Sequence, residues 1–270
     1  MGNEVLTYKS VSANGLEIHY IEKGSGIPLI LLHGGSLNAE INWKVNLQIL
    51  AKHYHCIAVD SRGHGRTINP SREYSYSLMA DDIAGLIQAL KLEKPLVCGW
   101  SDGGQIAIEM GIRYSHLIRG LIAGGTLMNN TMPMEYWISQ GINGPGDIDF
   151  DKFKEKSPDF HKLLEEAHKP QGPEYWKILL QDLTKMWFDD SSYPGDNIRK
   201  ITAPSLIIQA DGDEIIPMSE AINLYQSIPN SELAVIPGAT HALSIMGVRS
   251  SVFTYIIIDF IERLIDRKES

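Results

Sequence analysis

The chain has 270 residues, of which 43% are hydrophobic and 21% charged, enough to bury one large core. Its formal net charge of −9 argues against a nucleic acid or an anionic membrane surface as a partner. No apolar run reaches the ~20 residues of a membrane span, and residues 1–4 lack the basic start of an export signal. Cys56 and Cys98 lie singly in apolar runs, which indicates a reducing compartment. We therefore expect a cytoplasmic monomer or homodimer that acts on a small molecule.

The predicted elements begin with a hairpin, in which Val5–Val11 and Leu16–Glu22 are joined through Asn14-Gly15. Apolar runs without polar alternation follow, as in parallel strands covered on both faces: Pro28–Leu32, Cys56–Val59, Leu96–Cys98, Leu117–Ala123 and Leu206–Gln209. Amphipathic helical patterns accompany them: Trp43–Leu50, Leu78–Leu90, Gln105–Met110 and Phe253–Ile265. Strands that alternate with helices predict an α/β fold with a doubly wound, mostly parallel sheet.

An insert interrupts this alternation at residues 127–197, between the core segments 1–126 and 198–270. Residues 128–198 carry 13 acidic residues against seven lysines, so most of the net negative charge lies here. A loop is expected over Gly141–Gly146, and helix signals follow, the clearest of which places Pro173 in a first turn. Two interpretations of the aromatic residues in this helical insert stay open: they cover a site as a lid, or they only pack the insert onto the core.

A serine between a predicted strand and a predicted helix is the first candidate for chemistry. The segment Gly99-Trp100-Ser101-Asp102-Gly103 has the form Gly-x-Ser-x-Gly. The outer glycines permit a turn too tight for side chains, and that turn presents the Ser101 hydroxyl at the carboxyl end of the strand. A hydroxyl held at a helix N-terminus is placed to attack a carbonyl carbon, so the segment predicts a nucleophile.

A serine nucleophile needs a base and a third group that orients the base. Asp211 and Asp213 follow the strand Leu206–Gln209; Asp213 is the preferred acid and Asp211 the alternative. Among the nine histidines, His241 alone stands in a loop after the last predicted strand, Leu233–Ile236, where it could reach Ser101. The chain order Ser, Asp, His is one of the known orders of a catalytic triad.

Acyl transfer also requires two N–H donors for a tetrahedral oxyanion. The backbone N–H of Asp102, next after the nucleophile, is the first, and that of Gly35, in the glycine turn after Pro28–Leu32, is the second. The alternative for this turn is that its glycines serve only to reverse the chain. His53-x-His55 has no further partner at ligand spacing, so no metal site is expected.

Taken together, these motifs resemble the α/β-hydrolase superfamily over nearly the whole chain. The matching segments are Leu32-His33-Gly34-Gly35, Asp60-Ser61-Arg62-Gly63-His64-Gly65, the serine turn, the Asp213 turn and Gly238-x-x-His241. Within the superfamily, Gly99–Gly104 is similar to the biphenyl-hydrolase-like, valacyclovirase-type amino-acid ester hydrolases. That resemblance implies that Asp102 binds a substrate ammonium. The alternative is that the helix dipole alone favours an acidic residue in this first turn.

The combined expectation is a cofactor-free serine hydrolase of the α/β-hydrolase fold that cleaves a small carboxylic ester through Ser101, His241 and Asp213. The side chains expected to contact the substrate are Asp102, Trp100, Ser36 and Trp187. Perhydrolysis of the haloperoxidase type and C–C bond hydrolysis would use the same triad and are the alternative reactions. A ligand receptor that keeps the triad but turns over slowly is the alternative of a different class.

Overall fold

The structure, a computed structural model, describes residues 7–269. Its strands are β1 (Tyr8–Ala13), β2 (Leu16–Lys23), β3 (Pro28–Leu32), β4 (His55–Val59), β5 (Leu96–Trp100), β6 (Gly120–Gly124), β7 (Ile142–Gly144), β8 (Asp147–Ile148), β9 (Ser205–Ala210) and β10 (Ser231–Ile236). Its α-helices are α1 (Ala39–Leu50), α2 (Tyr76–Ala89), α3 (Asp102–Tyr114), α4 (Met134–Ser139), α5 (Phe150–Lys156), α6 (Pro158–His168), α7 (Tyr175–Trp187), α8 (Met218–Ser227), α9 (His241–Ile245) and α10 (Ser250–Glu269).

One large sheet runs through the described residues in the strand order β1-β2-β4-β3-β5-β6-β9-β10. Strand β2 pairs antiparallel with β1 and β4, and the other neighbours pair in parallel. The prediction of a doubly wound, mostly parallel α/β sheet is therefore confirmed. The direction of winding reverses between β3 and β5, and ligands of such folds bind at the carboxyl ends of the strands at this point.

Helices cover the sheet on both faces, as strands without polar alternation require. Alternate residues of β3 enter opposite apolar layers. Ile30 packs in a layer with residues of α2 and α3, whereas Leu29 and Leu31 pack in a layer with residues of α1 and α10. Cys56 and Cys98 are buried free thiols in the second layer. Because both faces are packed, the carboxyl ends of β3 and β5 are held firmly in place.

The first hairpin turns at Asn14 and Gly15, as the Asn-Gly pair predicts. Their φ angles of 46° and 75° are the positive values that a two-residue type I′ turn needs at both central positions. Val5 and Leu6, which belong to the first predicted strand, lie outside the described residues.

The strand predicted to begin at Leu117 and the helix predicted to begin at Pro173 both start later in the structure. The strand expected over Leu117–Ala123 begins only at Gly120, because Ser115–Leu117 forms a 3-10 turn whose apolar end packs against the core. Pro173 lies before the cap of α7, which is Glu174, and so falls outside the first helical turn. Leu117 therefore belongs to the connection before β6, although it is apolar, and Pro173 belongs to the connection before α7, although proline is common in a first helical turn.

The insert contains helices α4–α7, which agrees with its helical pattern, and a small hairpin that was not predicted. The loop expected over Gly141–Gly146 is wrong, since β7 and β8 pair antiparallel there, with both end glycines at positive φ. An apolar cluster of the insert includes the buried Trp176 and Phe153 and reaches Leu37 of the core. Trp176 therefore serves to pack the insert onto the core.

The carboxyl edge of the sheet gathers the candidate residues. Gly35 follows β3, Ser101 follows β5, Asp213 follows β9 and His241 follows β10. These strands are neighbours or near neighbours in one parallel sheet, so the residues that follow them meet at one edge. Within residues 7–269 no helix is long and apolar enough to cross a membrane.

Candidate active site

Ser101 occupies a strained turn between β5 and α3. Its φ and ψ of 56° and −121° lie in a region that side chains rarely adopt, at a cost of about 1–3 kcal/mol. The flanking glycines are required by space: a Cβ on Gly99 would meet the Gly103 carbonyl oxygen at 1.9 Å, and one on Gly103 would meet that of Leu32 at 2.2 Å. The turn therefore has the geometry of a nucleophile elbow, which lifts the serine hydroxyl away from the sheet.

His241 and Asp213 form a buried pair beside this turn. The distance from His241 Nδ1 to Asp213 Oδ2 is 2.8 Å. The other carboxylate oxygen, Asp213 Oδ1, accepts the backbone N–H groups of Ile215 at 3.0 Å and Ile216 at 2.8 Å. The Asp213 side chain is 1% exposed. Because the carboxylate is held on both oxygens, it fixes the proton of His241 on Nδ1 and leaves Nε2 able to accept another.

The alternative acid, Asp211, lies elsewhere. It is exposed, and its Oδ1 accepts the backbone N–H of Ala239 at 3.3 Å, which orders the turn that leads to the histidine. Backbone N–H groups of Gly238 and Ala239 lower the pKa of the Asp211 carboxyl. Glu214 accepts the backbone N–H of His241 at 3.0 Å. His241 is the first residue of α9, not part of a loop as expected. Its position is fixed by this helix start and by the carboxylates of Asp213 and Glu214.

Ser101 and His241 line the same cavity. Within residues 7–269 no hydrogen bond joins their side chains, and in unliganded enzymes such a bond is often long and tightens when substrate binds. Trp100, one of the residues expected to contact the substrate, is 2% exposed and lies against His241, with 5.3 Å between the ring centroids. Trp100 therefore supports the imidazole from behind in addition to lining the cavity.

The two residues expected to donate N–H groups to an oxyanion, Gly35 and Asp102, both line the cavity at the elbow. The N–H of Asp102 opens α3, where the first N–H groups of a helix have no partner within the helix. In the oxyanion loop, which we define as residues 33–36, the N–H of Gly34 is already donated to Asn42 Oδ1 at 3.0 Å. Gly35 packs so closely that a Cβ would meet Asp102 Oδ2 at 2.6 Å and a ring carbon of Trp187 at 2.9 Å. The glycine is thus required by its contacts, beyond any need to reverse the chain.

The carboxylate of Asp102 is partly buried and accepts hydrogen bonds from two uncharged donors. Tyr76 donates its hydroxyl to Oδ1 at 2.9 Å, and the indole N–H of Trp187 donates to Oδ2 at 2.9 Å. Burial raises the pKa of the Asp102 carboxyl, and these two hydrogen bonds oppose the rise. A carboxylate has about four lone-pair sites, so it can still accept hydrogen bonds from a ligand. No lysine or arginine side chain that the structure describes forms an ion pair with it, and a charge on His241 also lowers its pKa.

The cavity at the elbow has a volume of about 450 Å³, within the range of small-molecule sites. Its wall on the insert side is largely apolar and includes Ile142, Phe153, Phe160 and Leu180, with Leu37 of the core beside them. Asp102 and Glu214 contribute carboxylates, whereas no lysine or arginine of the described residues lines it. The charge of the cavity therefore favours a cationic or uncharged ligand over an anionic one.

The insert brings two further aromatic residues to this cavity. Trp187, at the end of α7, lines it and stacks on Trp137 of α4, with 5.6 Å between centroids and 16° between planes. Ser36, also expected to contact substrate, lines the cavity while its backbone has a φ of 61°. Of the two interpretations of the insert's aromatic residues, packing therefore describes Trp176 and cavity lining describes Trp187.

Sequence reasoning did not identify two residues that hold this site together. Tyr76, which binds Asp102, is 26 residues before it and carries no local motif. His168 is 1% exposed and donates a hydrogen bond to the carbonyl oxygen of Ser36 in the oxyanion loop, although it lies in the charged insert. The helical spacing of Leu164, Ala167 and His168 is the one signal that could have placed this histidine on a buried face.

Comparison with known proteins agrees with this geometry. Residues 29–248 match the model of the alpha/beta hydrolase family. The chain belongs to this family. It is 28% identical over 271 residues to serine hydrolase BPHL of Mus musculus, covering 95% of this chain and 87% of that protein. It is 26% identical over 246 residues to 2-hydroxy-6-oxo-6-(2'-aminophenyl)hexa-2,4-dienoic acid hydrolase of Metapseudomonas resinovorans, covering 86% of this chain and 83% of that protein.

Solved structures show the same fold. A mutant of a meta-cleavage product hydrolase (CumD) superposes with a TM-score of 0.79 at 25% identity, covering 94% of this chain and 98% of that one. A thermophilic esterase from Thermogutta terrifontis superposes with a TM-score of 0.73 at 23% identity, covering 96% and 99%. The alpha/beta hydrolase family of this chain thus includes relatives named for different hydrolytic reactions.

Proposed function

We propose that the protein is a cofactor-free serine hydrolase that cleaves small carboxylic esters, with a preference for esters that carry an ammonium group. The observation that carries the proposal is the strained Ser101 turn, which shares a cavity with the hydrogen-bonded His241–Asp213 pair. Strain of this kind persists only where the surrounding structure enforces it, and it is typical of reactive residues.

Acylation follows from this arrangement. The Ser101 hydroxyl oxygen attacks the ester carbonyl carbon while His241 Nε2 takes its proton. The carbonyl oxygen becomes an oxyanion and accepts hydrogen bonds from the N–H groups of Gly35 and Asp102; each such donor contributes about 2.7–4 kcal/mol to the transition state. His241 then gives its proton to the departing alcohol oxygen, which leaves an ester between Ser101 and the acyl group.

Deacylation reverses these roles with water as the nucleophile. His241 Nε2 removes a proton from water, whose oxygen attacks the acyl carbon, and the same two N–H groups hold the second oxyanion. Collapse of this intermediate returns the proton to Ser101 Oγ and releases the carboxylic acid. Throughout, the Asp213 carboxylate keeps the imidazole in one tautomer and stabilises its cationic form.

The environment of Asp102 supports a cationic substrate. The partly buried Asp102 carboxyl has a phenol and an indole as its hydrogen-bond partners and no lysine or arginine beside it in the cavity, so a substrate ammonium would supply the cation that the site lacks. The carboxylate lies one residue from the nucleophile, so the ammonium would sit close to the scissile carbonyl, as it does in an α-amino-acid ester. The family resemblance of Gly99–Gly104 leads to the same substrate class.

Hydrolysis of a C–C bond is the second candidate, because one relative is named as a hydrolase of a hexadienoic acid. Such an acid is an anion at neutral pH, and a positive group in the cavity would favour its binding. This cavity is lined by Asp102 and Glu214 and, within the described residues, by no lysine or arginine. The charge therefore favours the ester proposal over an anionic substrate.

The insert, residues 127–197, is proposed to act as a lid. Support comes from Trp137 of α4 and Trp187 of α7, which line the cavity, and from the hydrogen bond between Trp187 and Asp102. A cytoplasmic location is proposed on the ground that Cys56 and Cys98 are both free and buried.

A matched set of esters tests the substrate proposal at pH 7. Ethyl L-valinate and ethyl isovalerate share one carbon skeleton and differ by the ammonium group, and monoethyl succinate adds an anionic member. We expect kcat/KM to fall from the first to the last. Activity confined to the anionic ester, or to a dienoic acid with a scissile C–C bond, would contradict the proposal, and so would ligand binding without turnover.

Asp102→Asn sharpens this test. The asparagine keeps one oxygen acceptor in place but removes the charge, and a hydrogen bond to a charged group contributes about 1.5–3 kcal/mol. We therefore expect kcat/KM for ethyl L-valinate to fall about 10- to 100-fold, with ethyl isovalerate changed much less. An equal loss for both esters would mean that the carboxylate supports the elbow without recognising the substrate's charge.

A further inference from the structure

Two buried histidines join the oxyanion loop to the turn after β4, which we call the post-β4 turn (residues 60–65). His33, from the loop itself, accepts the backbone N–H of Ser61 at Nε2, at 3.0 Å. Because that nitrogen accepts, Nδ1 carries the proton, and it donates to the carbonyl oxygen of Gly34 at 2.8 Å. The imidazole of His33 thus holds one group of each segment.

His168, the last residue of α6 in the insert, makes the same kind of bridge with its nitrogens exchanged. Its Nδ1 accepts the backbone N–H of Gly65 at 3.1 Å, so Nε2 carries the proton and donates to the carbonyl oxygen of Ser36 at 2.8 Å. The side chain comes from 132 residues further along the chain than Ser36. Two rings, one from the core and one from the insert, therefore hold opposite ends of the oxyanion loop.

These bonds act on the peptide groups that surround the Gly35 N–H. The carbonyl of Gly34 belongs to the same planar peptide as that N–H, so the bond from His33 fixes its direction and polarises it. On the other side, Ser36 has a φ of 61°, a left-handed conformation that is costly for a residue with a side chain. The bond from His168 to the Ser36 carbonyl is in place to stabilise that conformation.

We propose that His168 is a positioning residue for the oxyanion hole: together with His33 it aims the Gly35 N–H at the elbow, so the insert helps to build the catalytic apparatus of the core. This inference rests on the proposed ester hydrolysis. Both rings must be neutral, because one nitrogen of each ring accepts a hydrogen bond and a protonated imidazole has no accepting nitrogen. Burial lowers the pKa of both His33 and His168 to about 4, which keeps both rings neutral at pH 7.

Paired amide substitutions test the proposal, because glutamine places its amide nitrogen near the Nε2 position of histidine and asparagine places it near Nδ1. At position 168 the required donor is Nε2, so His168→Gln is expected to keep kcat within about threefold while His168→Asn loses about a hundredfold. At position 33 the required donor is Nδ1, so the order inverts: His33→Asn is expected to keep activity and His33→Gln to lose it.

Two readouts separate positioning from general stability. We expect the loss to appear in kcat, with KM nearly unchanged, and in the affinity for an aryl trifluoromethyl ketone, whose serine adduct carries an oxyanion. Gln171→Leu is the matched control, since Gln171 ties the same insert segment to the carbonyls of Gly63 and Gly65 without contact to Ser36. It is expected to lower Tm and to leave kcat unchanged.

Equal losses for asparagine and glutamine at both positions would overturn the inference, as would a loss in kcat for Gln171→Leu as large as that for His168→Asn. The two positions test it independently, so a variant that fails to fold at one leaves the comparison at the other. Failure of the proposed function itself would be visible beforehand, as a wild-type protein that hydrolyses no ester.

Discussion

The sheet core and the insert contribute to one cavity by different physical means. Core residues at the carboxyl edge are held by backbone: a strained turn holds Ser101, and two N–H groups hold the Asp213 carboxylate. Insert residues are held by side-chain contacts, as in the stack of Trp137 on Trp187 and the indole bond to Asp102. Backbone geometry fixes a few atoms precisely enough for chemistry, whereas aromatic walls determine which molecules fit. Substitutions in the core should therefore lower kcat strongly, whereas substitutions in the insert should change kcat/KM less and mainly through KM.

The largest effect is expected in the core, at Asp213. In Asp213→Asn the amide can donate to His241 Nδ1 and so favours the wrong tautomer of the base. We expect kcat to fall about 10⁴-fold while the protein stays folded. Steady-state ester hydrolysis and a thermal melt measure both quantities.

Asp211→Asn is the control for this change, because the exposed Asp211 keeps an oxygen that can accept the Ala239 N–H. We expect a change in kcat of less than about threefold. Similar losses in the two variants would show that the loop before the histidine, and not its carboxylate partner, supports catalysis.

A smaller effect is expected where core and insert touch, at Gly35. In Gly35→Ala the new Cβ would lie 2.6 Å from Asp102 Oδ2 and 2.9 Å from Trp187, so the oxyanion loop must move. We expect kcat to fall about a hundredfold, as displacements of about 1 Å do. Gly144→Ala in the insert meets no heavy atom within 4 Å and should leave kcat unchanged. If kcat fell equally in Gly35→Ala and Gly144→Ala, the position of the oxyanion loop would not be what determines kcat.

The smallest effect is expected in the insert, at Trp187. Trp187→Phe keeps a ring but removes the N–H that Asp102 accepts. Because this hydrogen bond is already made without substrate, only the part of it that changes on binding, about 0.5–1.5 kcal/mol, enters kcat/KM. We expect kcat/KM for ethyl L-valinate to change about two- to tenfold, mainly through KM. Trp137→Phe, which keeps the stack and makes no bond to Asp102, should change it less. A loss approaching that of Asp213→Asn would break the distinction between the two regions.

The residues of the core site could be predicted because their backbone requirements leave a trace in the sequence. Gly99 and Gly103 are present since no Cβ fits there, and Asp213 and His241 follow strands at the same edge of the sheet. The hairpin turn at Asn14 was readable for the same reason, since it needs positive φ.

The contacts of the insert could not be predicted in the same way. Trp187 reaches Asp102 and His168 reaches Ser36 across 85 and 132 residues, and neither contact imposes a pattern on its neighbours in the chain. Pairings of this kind follow from how the insert packs on the core, which is a property of the whole fold. The sequence therefore indicated that Trp187 lies in an aromatic insert, but not that it binds the carboxylate beside the nucleophile.

The central claim is that Ser101 is an activated nucleophile, and labelling with a fluorophosphonate tests it most directly. Such a reagent transfers its phosphonyl group to an activated serine oxygen with loss of fluoride. The account predicts one adduct by intact mass, located on the Ser101 peptide, absent in Ser101→Ala and slowed in Asp213→Asn. A folded wild-type protein that takes up no label, or takes it up on another residue, would contradict the account.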